Sequence, residues 1–290
     1  MIRLAGFSEE DLFKTFPNGE TLLVTDKISN DGFANLYRRI VFKYESNADL
    51  IKLMILKKYL DEQKNLCRNL VITYMPYSRM DRVEGNSAFT LKYISQFINS
   101  LGFERVIVVE PHSDVTCALL DNVKSAYINF DMIGKVKEEV GFIEDEDYIV
   151  FPDAGAYKRY SKMNVKNVLF CNKVRDFATG DIKGLDLVGD TSKASGKMAI
   201  IVDDLSSYGG TFIHTADRLR QEGFDKIYLL VAHAENVIFK RNDRTGKLLF
   251  EHVDKIFTTD SILTEHNNTE NAELMKQLKV YNVEDVLFNV

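Results

Sequence analysis

The sequence predicts an α/β protein in which mostly parallel sheets are covered by helices, arranged in two halves of similar size. Apolar runs of strand length alternate with helical patterns along most of the chain, which is typical of parallel sheets. The alternation restarts after Asp131, so a boundary is expected near residues 125–132. We therefore expect one domain at 1–128 and a second at 129–290.

Each half contains its own series of elements. In the first half, helices are expected at 47–62 and 89–101, and strands at 70–74 and 106–110. In the second half, helices are expected at 132–140, 156–163 and 212–222, and strands at 148–151, 167–171, 198–202, 226–231 and 255–258. Loops at the carboxyl ends of such strands are where ligands bind in this class of protein.

Composition limits the function classes. The chain has 290 residues, of which 45% are hydrophobic and 28% charged, so it can bury a core beneath a charged surface. The net charge of −6 argues against broad binding to nucleic acid or anionic membranes. Neither a secretory start nor an apolar run of membrane-spanning length is present, which predicts a cytoplasmic protein. Cys67, Cys117 and Cys171 lie far apart and are expected to be reduced core thiols.

The segment MAIIVDDLSSYGGT at 198–211 carries the strongest chemical signal. An apolar strand ends in Asp203 and Asp204, whose carboxylates suit vicinal ribose hydroxyls and also Mg²⁺. The turn that follows offers backbone N–H groups and small hydroxyls to a phosphate, and the next helix adds its positive N-terminal end. The residues expected to bind the ribose phosphate here are Ser206, Ser207, Tyr208, Gly209, Gly210 and Thr211. The alternative is an ordinary strand–turn–helix corner with a solvated acidic pair.

All four prolines stand in short segments that contain a potential ligand group. Three of them, Pro76, Pro111 and Pro152, follow apolar runs, where the carboxyl edge of a sheet is expected. Proline favours loops in any protein, which is the competing explanation for each one taken singly. Because all four prolines stand in such segments, we expect rigid loops that position chemical groups.

Two of these segments suit a nucleotide. Phe16, Asn18 and Glu20 in FPNGE offer an aromatic face, an amide and a carboxylate, a set that can contact adenine. After the strand at 70–74, Arg79 and Arg82 flank Asp81, and arginine forks suit triphosphate oxygens. A solvated charged loop is the alternative for the second segment.

Three further segments suit metal and phosphoryl chemistry. His112 follows the apolar run VIVVE and can ligate Mg²⁺ or bond a phosphate, although a lone histidine is more often structural. Asp153 leaves a strand into a glycine turn, which suits a metal held together with a phosphate. Lys173 and Arg175 can neutralise charge that develops on a transferred phosphoryl group, unless they simply face solvent.

Taken together, the segments FPNGE, PYSRMDR, EPHSD, FPDAGAYKR, NKVR, VGD and VDDLSSYGGT resemble, in this order, those of the ribose-phosphate pyrophosphokinases. The resemblance spans nearly the whole chain and implies two tandem domains of type I phosphoribosyltransferase fold. It implies transfer of the β,γ-pyrophosphoryl group of ATP to the anomeric hydroxyl of ribose 5-phosphate, with Mg²⁺ and release of AMP.

The resemblance also implies residue roles. The ATP-binding residues would be Phe16, Asn18, Glu20, Arg79, Asp81, Arg82 and His112, the first three reaching from a neighbouring subunit. The metal residues would be His112 and Asp153. The catalytic residues would be Lys173 and Arg175, while Asp203 and Asp204 would hold the ribose hydroxyls. A homo-oligomer, dimer or hexamer, that binds only small molecules is expected.

Three departures from the family pattern bear on the substrate. Tyr208 stands where the family has a short hydroxyl residue, Met80 stands where it often has glutamine, and the FPNGE segment begins at residue 16, without the strand and helix that usually precede it. Tyr208 favours an acceptor extended beyond its 5-phosphate, such as the ADP-ribose used by divergent phage-type enzymes in NAD⁺ resynthesis, which would place the protein in a host cytoplasm. Ribose 5-phosphate remains the other acceptor. The rival functions are a phosphoribosyltransferase and a catalytically silent regulatory homologue.

Overall fold

The computed structural model describes residues 1–4, 7–26, 28, 39–63, 67–163, 165–175, 182–243, 245–265 and 269–288. The side chains of 173–175 and 182–184 are outside this description. The chain divides into two compact units, Met1–Tyr127 and Ile128–Val290. The division falls within the segment 125–132 where the sequence pattern restarts.

The first unit is built on a five-stranded sheet of order β1-β4-β5-β6-β7. The strands of this sheet are β1 (Ile2–Leu4), β4 (Arg39–Phe42), β5 (Asn69–Ile72), β6 (Arg105–Val109) and β7 (Val123–Ala126). β1 pairs antiparallel with β4, whereas the other neighbours are parallel. A separate hairpin is formed by β2 (Phe13–Thr15) and β3 (Thr21–Leu23).

The described helices of the first unit are α1 (Glu9–Leu12), α2 (Ala48–Glu62), α3 (Thr90–Ser100) and α4 (Asp114–Leu119). α2 buries leucines at 50, 53, 56 and 60, the three-to-four-residue spacing that puts them on one face against the sheet. Gly102, with φ +68°, lies just past α3, where a left-handed residue ends a helix without steric cost.

The second unit is built on a seven-stranded sheet of order β10-β9-β8-β11-β12-β13-β14. Its strands are β8 (Tyr148–Phe151), β9 (Val168–Arg175), β10 (Ile182–Val188), β11 (Met198–Ser206), β12 (Lys226–Ala234), β13 (Lys255–Thr259) and β14 (Leu278–Tyr281). Only the β9–β10 pair is antiparallel among these strands. All four residues of β8 are buried, as expected for a parallel strand with both faces covered.

The described α-helices of the second unit are α5 (Asn129–Val140), α6 (Ala154–Tyr160), α7 (Gly210–Gln221), α8 (Ala272–Met275) and α9 (Val283–Phe288). Short 3₁₀ turns occur at Asn236–Phe239, Leu249–Glu251 and Thr269–Asn271. α5 ends at Gly141, with φ +70°, and α6 begins where the Asp153 side chain accepts the Ala156 N–H at 3.0 Å. Each unit has its own hydrophobic core.

The predicted α/β class with mostly parallel sheets is confirmed, and β8 has the predicted bounds. Several predictions need correction. The helix predicted at 156–163 is Ala154–Tyr160, and the strand predicted at 226–231 continues to Ala234. The strand and helix thought to be missing before residue 16 are present as β1 and the one-turn α1. α5 begins three residues earlier than predicted. β11 continues to Ser206, four residues past its predicted end.

Two further sequence features have a structural outcome. Cys67 and Cys171 are buried free thiols, as expected for core residues, whereas Cys117 is only half-buried and its Sγ lies 2.9 Å from Ser125 Oγ. Over the residues that the structure describes, none of the helices has the length and apolar character needed to span a bilayer.

Candidate active site

The acidic pair of the second unit lies within β11 rather than beyond it. The side chains of Asp203 and Asp204 are only 14% and 6% exposed. Asp203 Oδ1 accepts the backbone N–H of Asp204 at 2.9 Å, which links the two carboxylate-bearing residues. The solvated acidic pair considered as an alternative is therefore wrong, because both carboxylates are largely withdrawn from water.

The counter-ion of this pair is Arg159, near the end of α6, which sequence reasoning did not single out. Its Nη1 lies 2.7 Å from Asp204 Oδ1 and 3.4 Å from Asp203 Oδ1. Burial and the neighbouring Asp204 raise the pKa of Asp203 well above its ordinary value, and Arg159 opposes that rise. Burial would lower the pKa of Arg159, but the Asp204 carboxylate reverses this, so the guanidinium stays charged.

Asp203 is also held through its backbone. Asn129 Nδ2, at the start of α5, lies 2.8 Å from the Asp203 carbonyl oxygen and 2.8 Å from the Tyr160 hydroxyl. Asn129 and Tyr160 are fully buried, so these hydrogen bonds are made in a low-dielectric interior. The acidic pair is thus fixed by side-chain and main-chain bonds from two helices.

The turn after β11 is shaped for close approach to its backbone. Gly209 has φ +77° and precedes α7. A Cβ on Gly209 would lie 2.7 Å from Leu249 Cδ2, so only glycine fits here. Among the described residues no side chain caps the start of α7, so its first N–H groups are available to bind an anion.

The remaining residues of this turn have different environments. Ser206 is buried and its Oγ lies 3.4 Å from the Ser207 carbonyl oxygen. Ser207, Tyr208, Gly210 and Thr211 are half-buried. The 3.6 Å between Asn242 Nδ2 and the position of a Cβ on Gly210 places the loop around Asn242 beside the turn.

Asp153, predicted to hold metal, is half-buried at the N-cap of α6. It is close enough to Asp203 to contribute to the raised pKa of that carboxyl. The structure therefore brings Asp153 and the acidic pair into one acidic region. The predicted catalytic residues Lys173 and Arg175 have their backbones in β9, opposite Leu185 and Ile182 of β10, and their side chains lie outside the described residues.

Three of the predicted ATP residues lie on the β2–β3 hairpin of the first unit. Asn18 Oδ1 accepts the Glu20 N–H at 3.1 Å, and Gly19, with φ +89°, completes the turn. Phe16 is 51% exposed. A cavity of about 420 Å³ lies between the hairpin and α2, lined by Phe16, Gly19, Glu20, Thr21, Leu22, Ala48 and Ile51.

The loop after β5 holds Arg79, Asp81 and Arg82. Asp81 is buried, while Arg82 is 65% exposed and places its Nε 2.8 Å from Asp81 Oδ1. Burial would raise the pKa of Asp81, but hydrogen bonds from Arg82 and Ser113 and the nearby charges of Arg82 and His112 together hold the pKa below its ordinary value. Arg79 is exposed.

This loop begins with a strained residue that sequence reasoning did not identify. Tyr77 has φ +61°, which is uncommon for a residue other than glycine, asparagine or aspartate. Its hydroxyl donates to Asn47 Oδ1 at the start of α2, and Tyr44 donates to the same oxygen at 2.6 Å. Backbone strain of this kind is concentrated at functional sites.

The loop after β6 holds His112, which is half-buried. Its ring is close enough to Asp81 to help lower the pKa of that carboxyl, so the structure brings these two predicted ATP residues together. The preceding Glu110 is buried and has φ +42°, a second strained position at the same sheet edge.

A magnesium site made by the protein alone is not formed among the described residues, since no group of three His, Cys, Asp or Glu side chains is placed to hold a metal. Mg²⁺ is usually bound by one or two carboxylates together with substrate phosphates, and the Asp153 carboxylate of the second unit is a ligand of that kind. The His112 imidazole lies in the first unit.

Comparison with known proteins gives a consistent result. The family model for the phosphoribosyl synthetase-associated domain matches residues 154–284. A ribose-phosphate pyrophosphokinase of Sulfurisphaera tokodaii is 28% identical over 86% of this chain and 83% of its own length. One from Mycoplasmopsis pulmonis is 25% identical over 95% of this chain and 82% of its own length.

The fold is also similar to that of a solved protein. The crystal structure of phosphoribosylpyrophosphate synthetase from Mycobacterium smegmatis matches with a TM-score of 0.67 at 19% identity, covering 96% of this chain and 90% of that one. Two parallel-sheet units with ligand-type side chains at their strand ends define the class of phosphoribosyltransferase-fold proteins. Within that class, the chain resembles the ribose-phosphate pyrophosphokinases, which are transferases, and the two relatives match it over 86% and 95% of its length.

Proposed function

We propose that the protein transfers the β,γ-pyrophosphoryl group of ATP to the 1-hydroxyl of a ribose 5-phosphate moiety and releases AMP. The observation that carries this proposal is the buried acidic pair, followed within the same strand and turn by the uncapped start of α7. The carboxylates can accept hydrogen bonds from the two hydroxyls of a sugar, and the N–H groups at the start of α7 can donate to a phosphate on the same sugar.

On the acceptor side, Asp203 and Asp204 accept hydrogen bonds from the ribose hydroxyls. The 5-phosphate is bound by the N–H groups of the turn from Ser207 to Thr211, whose approach is open because Gly209 has no side chain. Since the acidic pair is already bonded to Arg159 and Asn129, little reorganisation is needed when the sugar binds.

On the donor side, the residues of the first unit bind ATP. Phe16 covers the adenine, while Asn18 and Glu20 bond its edge. Arg79, Asp81, Arg82 and His112 surround the phosphates. Mg²⁺, carried by the ATP phosphates and held by His112 and Asp153, supplies charge compensation when bound.

The reaction needs in-line placement and charge neutralisation. The anomeric oxygen forms a bond to the β-phosphorus of ATP, the bond between that phosphorus and the oxygen bridging to the α-phosphate breaks, and the anomeric proton is lost to solvent. Lys173 and Arg175 stabilise the negative charge that develops on the transferred group and on AMP.

The acceptor is either ribose 5-phosphate or ADP-ribose, which keeps a free anomeric hydroxyl on its terminal ribose. Tyr208 favours the larger acceptor, because its half-buried ring lies in the turn from Ser207 to Thr211, here called the phosphate turn. The ring has no hydrogen bond to another described residue. A ring in this position can stack on a group attached beyond the phosphate. Ribose 5-phosphate is favoured by the similarity to ribose-phosphate pyrophosphokinases.

Two rival functions are disfavoured by particular observations. A phosphoribosyltransferase acting on a base does not need the first unit, with its own sheet and nucleotide-type loops. A silent regulatory homologue has no reason to keep Asp81 and His112 together, nor the pair Lys173 and Arg175.

We also propose a homo-oligomer, because the hairpin bearing Phe16 presents an exposed aromatic face that a second copy can use. Static light scattering of the active protein tests this part separately, and a fully active monomer contradicts it.

The proposed reaction is tested by supplying ATP and Mg²⁺ with ribose 5-phosphate or with ADP-ribose in parallel. The expected result is AMP release in step with a product heavier than the acceptor by one pyrophosphoryl group, observed by mass spectrometry. Turnover with ADP-ribose alone assigns Tyr208 to the larger acceptor, and turnover with ribose 5-phosphate alone removes that assignment. No AMP and no product with either acceptor overturns the proposal.

A further inference from the structure

In the function proposed above Arg159 serves only to preorganise the acidic pair, but its contacts to that pair point to a more specific role. A single nitrogen, Nη1, lies within hydrogen-bond or ion-pair distance of both Asp203 Oδ1 and Asp204 Oδ1, at 3.4 and 2.7 Å. Only 14% of its side chain is exposed. An arginine placed in this way controls where the two carboxylates lie.

We propose that Arg159 is a positioning residue that holds the two carboxylates together as acceptors for the sugar hydroxyls, and so determines selectivity for a ribosyl over a 2-deoxyribosyl acceptor. The inference rests on the proposed function, since it concerns the same acceptor site.

The first argument is geometric. Successive residues of a strand point their side chains to opposite faces of the sheet, and Asp203 and Asp204 are adjacent in β11. Their carboxylates nevertheless share one guanidinium nitrogen. Arg159 therefore draws together two groups that the strand alone would separate.

The second argument concerns charge. Two neighbouring buried carboxyl groups repel each other when both are ionised, and the Arg159 guanidinium offsets part of that repulsion. Carboxylate oxygens held in this way accept strong hydrogen bonds from neutral hydroxyl groups when water is excluded. Consistent with this, Arg159 counteracts the effects that raise the pKa of Asp203.

The third argument is the support behind Arg159. The next residue, Tyr160, is fully buried, and its ring centroid lies 5.7 Å from the Arg159 guanidinium carbon. The Tyr160 hydroxyl is bonded by Asn129, whose same amide nitrogen also bonds the Asp203 carbonyl. Adjacent residues of α6 thus fix both the side chains of the pair and the backbone beneath them.

The test compares two acceptors that differ by one hydroxyl, ribose 5-phosphate and 2-deoxyribose 5-phosphate. Their dissociation constants are measured by calorimetry, and kcat and KM are measured with saturating ATP. The variants are Arg159→Gln, which removes the charge, and Arg159→Lys, which keeps the charge but replaces the planar guanidinium by a single ammonium group. The control is Lys162→Gln, which removes an exposed cation three residues further along the chain.

The expected result is a loss of selectivity. Arg159→Gln should weaken ribose 5-phosphate about tenfold, the cost of disturbing hydrogen bonds to a charged acceptor, while 2-deoxyribose 5-phosphate changes much less. Arg159→Lys should recover part of the ratio between the two acceptors, and Lys162→Gln should keep the wild-type ratio. The KM for ATP should not change in any variant.

Other outcomes separate the inference from the proposed function. If wild type discriminates between the sugars and Arg159→Gln weakens both equally, Arg159 is merely structural and the inference is wrong. If wild type binds and converts neither sugar phosphate, the proposed reaction with this acceptor fails, and the inference fails with it. Melting curves establish that each variant is folded; should Arg159→Gln not fold, Arg159→Lys alone decides the comparison.

Discussion

The two units differ in how far their candidate site residues are fixed before any ligand binds. In the second unit, Asp203 and Asp204 are buried and bonded to Arg159, and Asn129 holds the Asp203 backbone. In the first unit, Phe16 is 51% exposed on a hairpin and Arg82 is 65% exposed. On the proposed function, the acceptor groups are therefore preorganised, whereas several of the groups proposed for the nucleotide must lose side-chain freedom when the ligand binds.

The largest expected effect tests whether the second unit also supplies the charge that stabilises the transition state. Lys173→Ala should lower kcat by about 10²–10³-fold, as expected for removal of one stabilising donor, with the acceptor KM nearly unchanged. Steady-state kinetics with the acceptor that wild type uses measures both constants. The control is Lys276→Ala, at a side chain that is 70% exposed, and full turnover of the Lys173 variant would remove Lys173 from the mechanism.

A second prediction breaks the preorganised phosphate turn. Gly209→Ala should destabilise the protein by roughly 2–4 kcal/mol, because it combines a left-handed backbone with overpacking against Leu249. The acceptor KM should rise in the same variant. Gly246→Ala is the matched control, since Gly246 has φ +67° but open space around the new Cβ, and it should cost only about 1 kcal/mol.

Urea unfolding and acceptor kinetics measure these two glycine variants together. Equal destabilisation by both would show that the packing of Leu249 against Gly209 contributes nothing beyond the backbone preference.

A third prediction tests whether the exposed ring of Phe16 in the first unit contributes to ATP binding but not to stability. Because Phe16 is exposed, Phe16→Ala should change the free energy of unfolding by less than about 0.5 kcal/mol. Its KM for ATP should nevertheless rise roughly tenfold, as expected when a stacking ring is lost. Tyr93→Ala, at a ring that is 58% exposed on α3, is the control for both measurements, and an unchanged KM in the Phe16 variant removes the hairpin from the nucleotide site.

The smallest prediction concerns the outer support of α7. Asp217 on α7 lies 2.7 Å from Lys247 and 2.6 Å from His252. Burial would raise the pKa of Asp217, but hydrogen bonds from Lys247 and His252 hold it below the ordinary value of 3.8. A carboxyl with a lowered pKa stabilises the fold above the unfolded-state value, and this contribution is lost as the pH falls through the lower folded-state pKa.

Asp217→Asn should therefore cost about 0.5–1 kcal/mol at neutral pH, and the difference from wild type should shrink as the pH falls below 3.8. Urea unfolding at a series of pH values measures this difference. Glu273→Gln, at an 83% exposed carboxylate paired with Lys276, is the control, and a difference that is independent of pH contradicts the electrostatic explanation.

Much of the fold was predictable because the strands are buried apolar runs bounded by loops. β8 was assigned with its observed bounds, and the strand ends before Pro76 and Pro111 were located to within two residues. Seven strands were not predicted: β1, β2, β3, β4, β7, β10 and β14. All of them except β10 have only three or four residues, too few for a clear apolar pattern, and β10 is defined by its pairing with β9. Strand length was underestimated at β11 because its polar end residues are held by tertiary bonds.

Less of the site was predictable. The sequence indicated the acidic pair and the glycine turn, because residue type alone carries their chemistry. Arg159 was not singled out, because only the folded position of α6 makes it the partner of Asp203 and Asp204. The left-handed backbone at Tyr77 and Glu110 was likewise hidden, since neither residue type favours it.

The contact between the phosphate turn and Leu249 has a consequence for directed evolution of acceptor choice. A library that varies position 209 alone should return only glycine, because the first carbon of any side chain falls within 3.0 Å of Leu249. Varying 209 and 249 together, with alanine or glycine allowed at 249, relieves the clash but not the backbone preference. New acceptor ranges are therefore best sought at Tyr208, whose substitution leaves this contact intact.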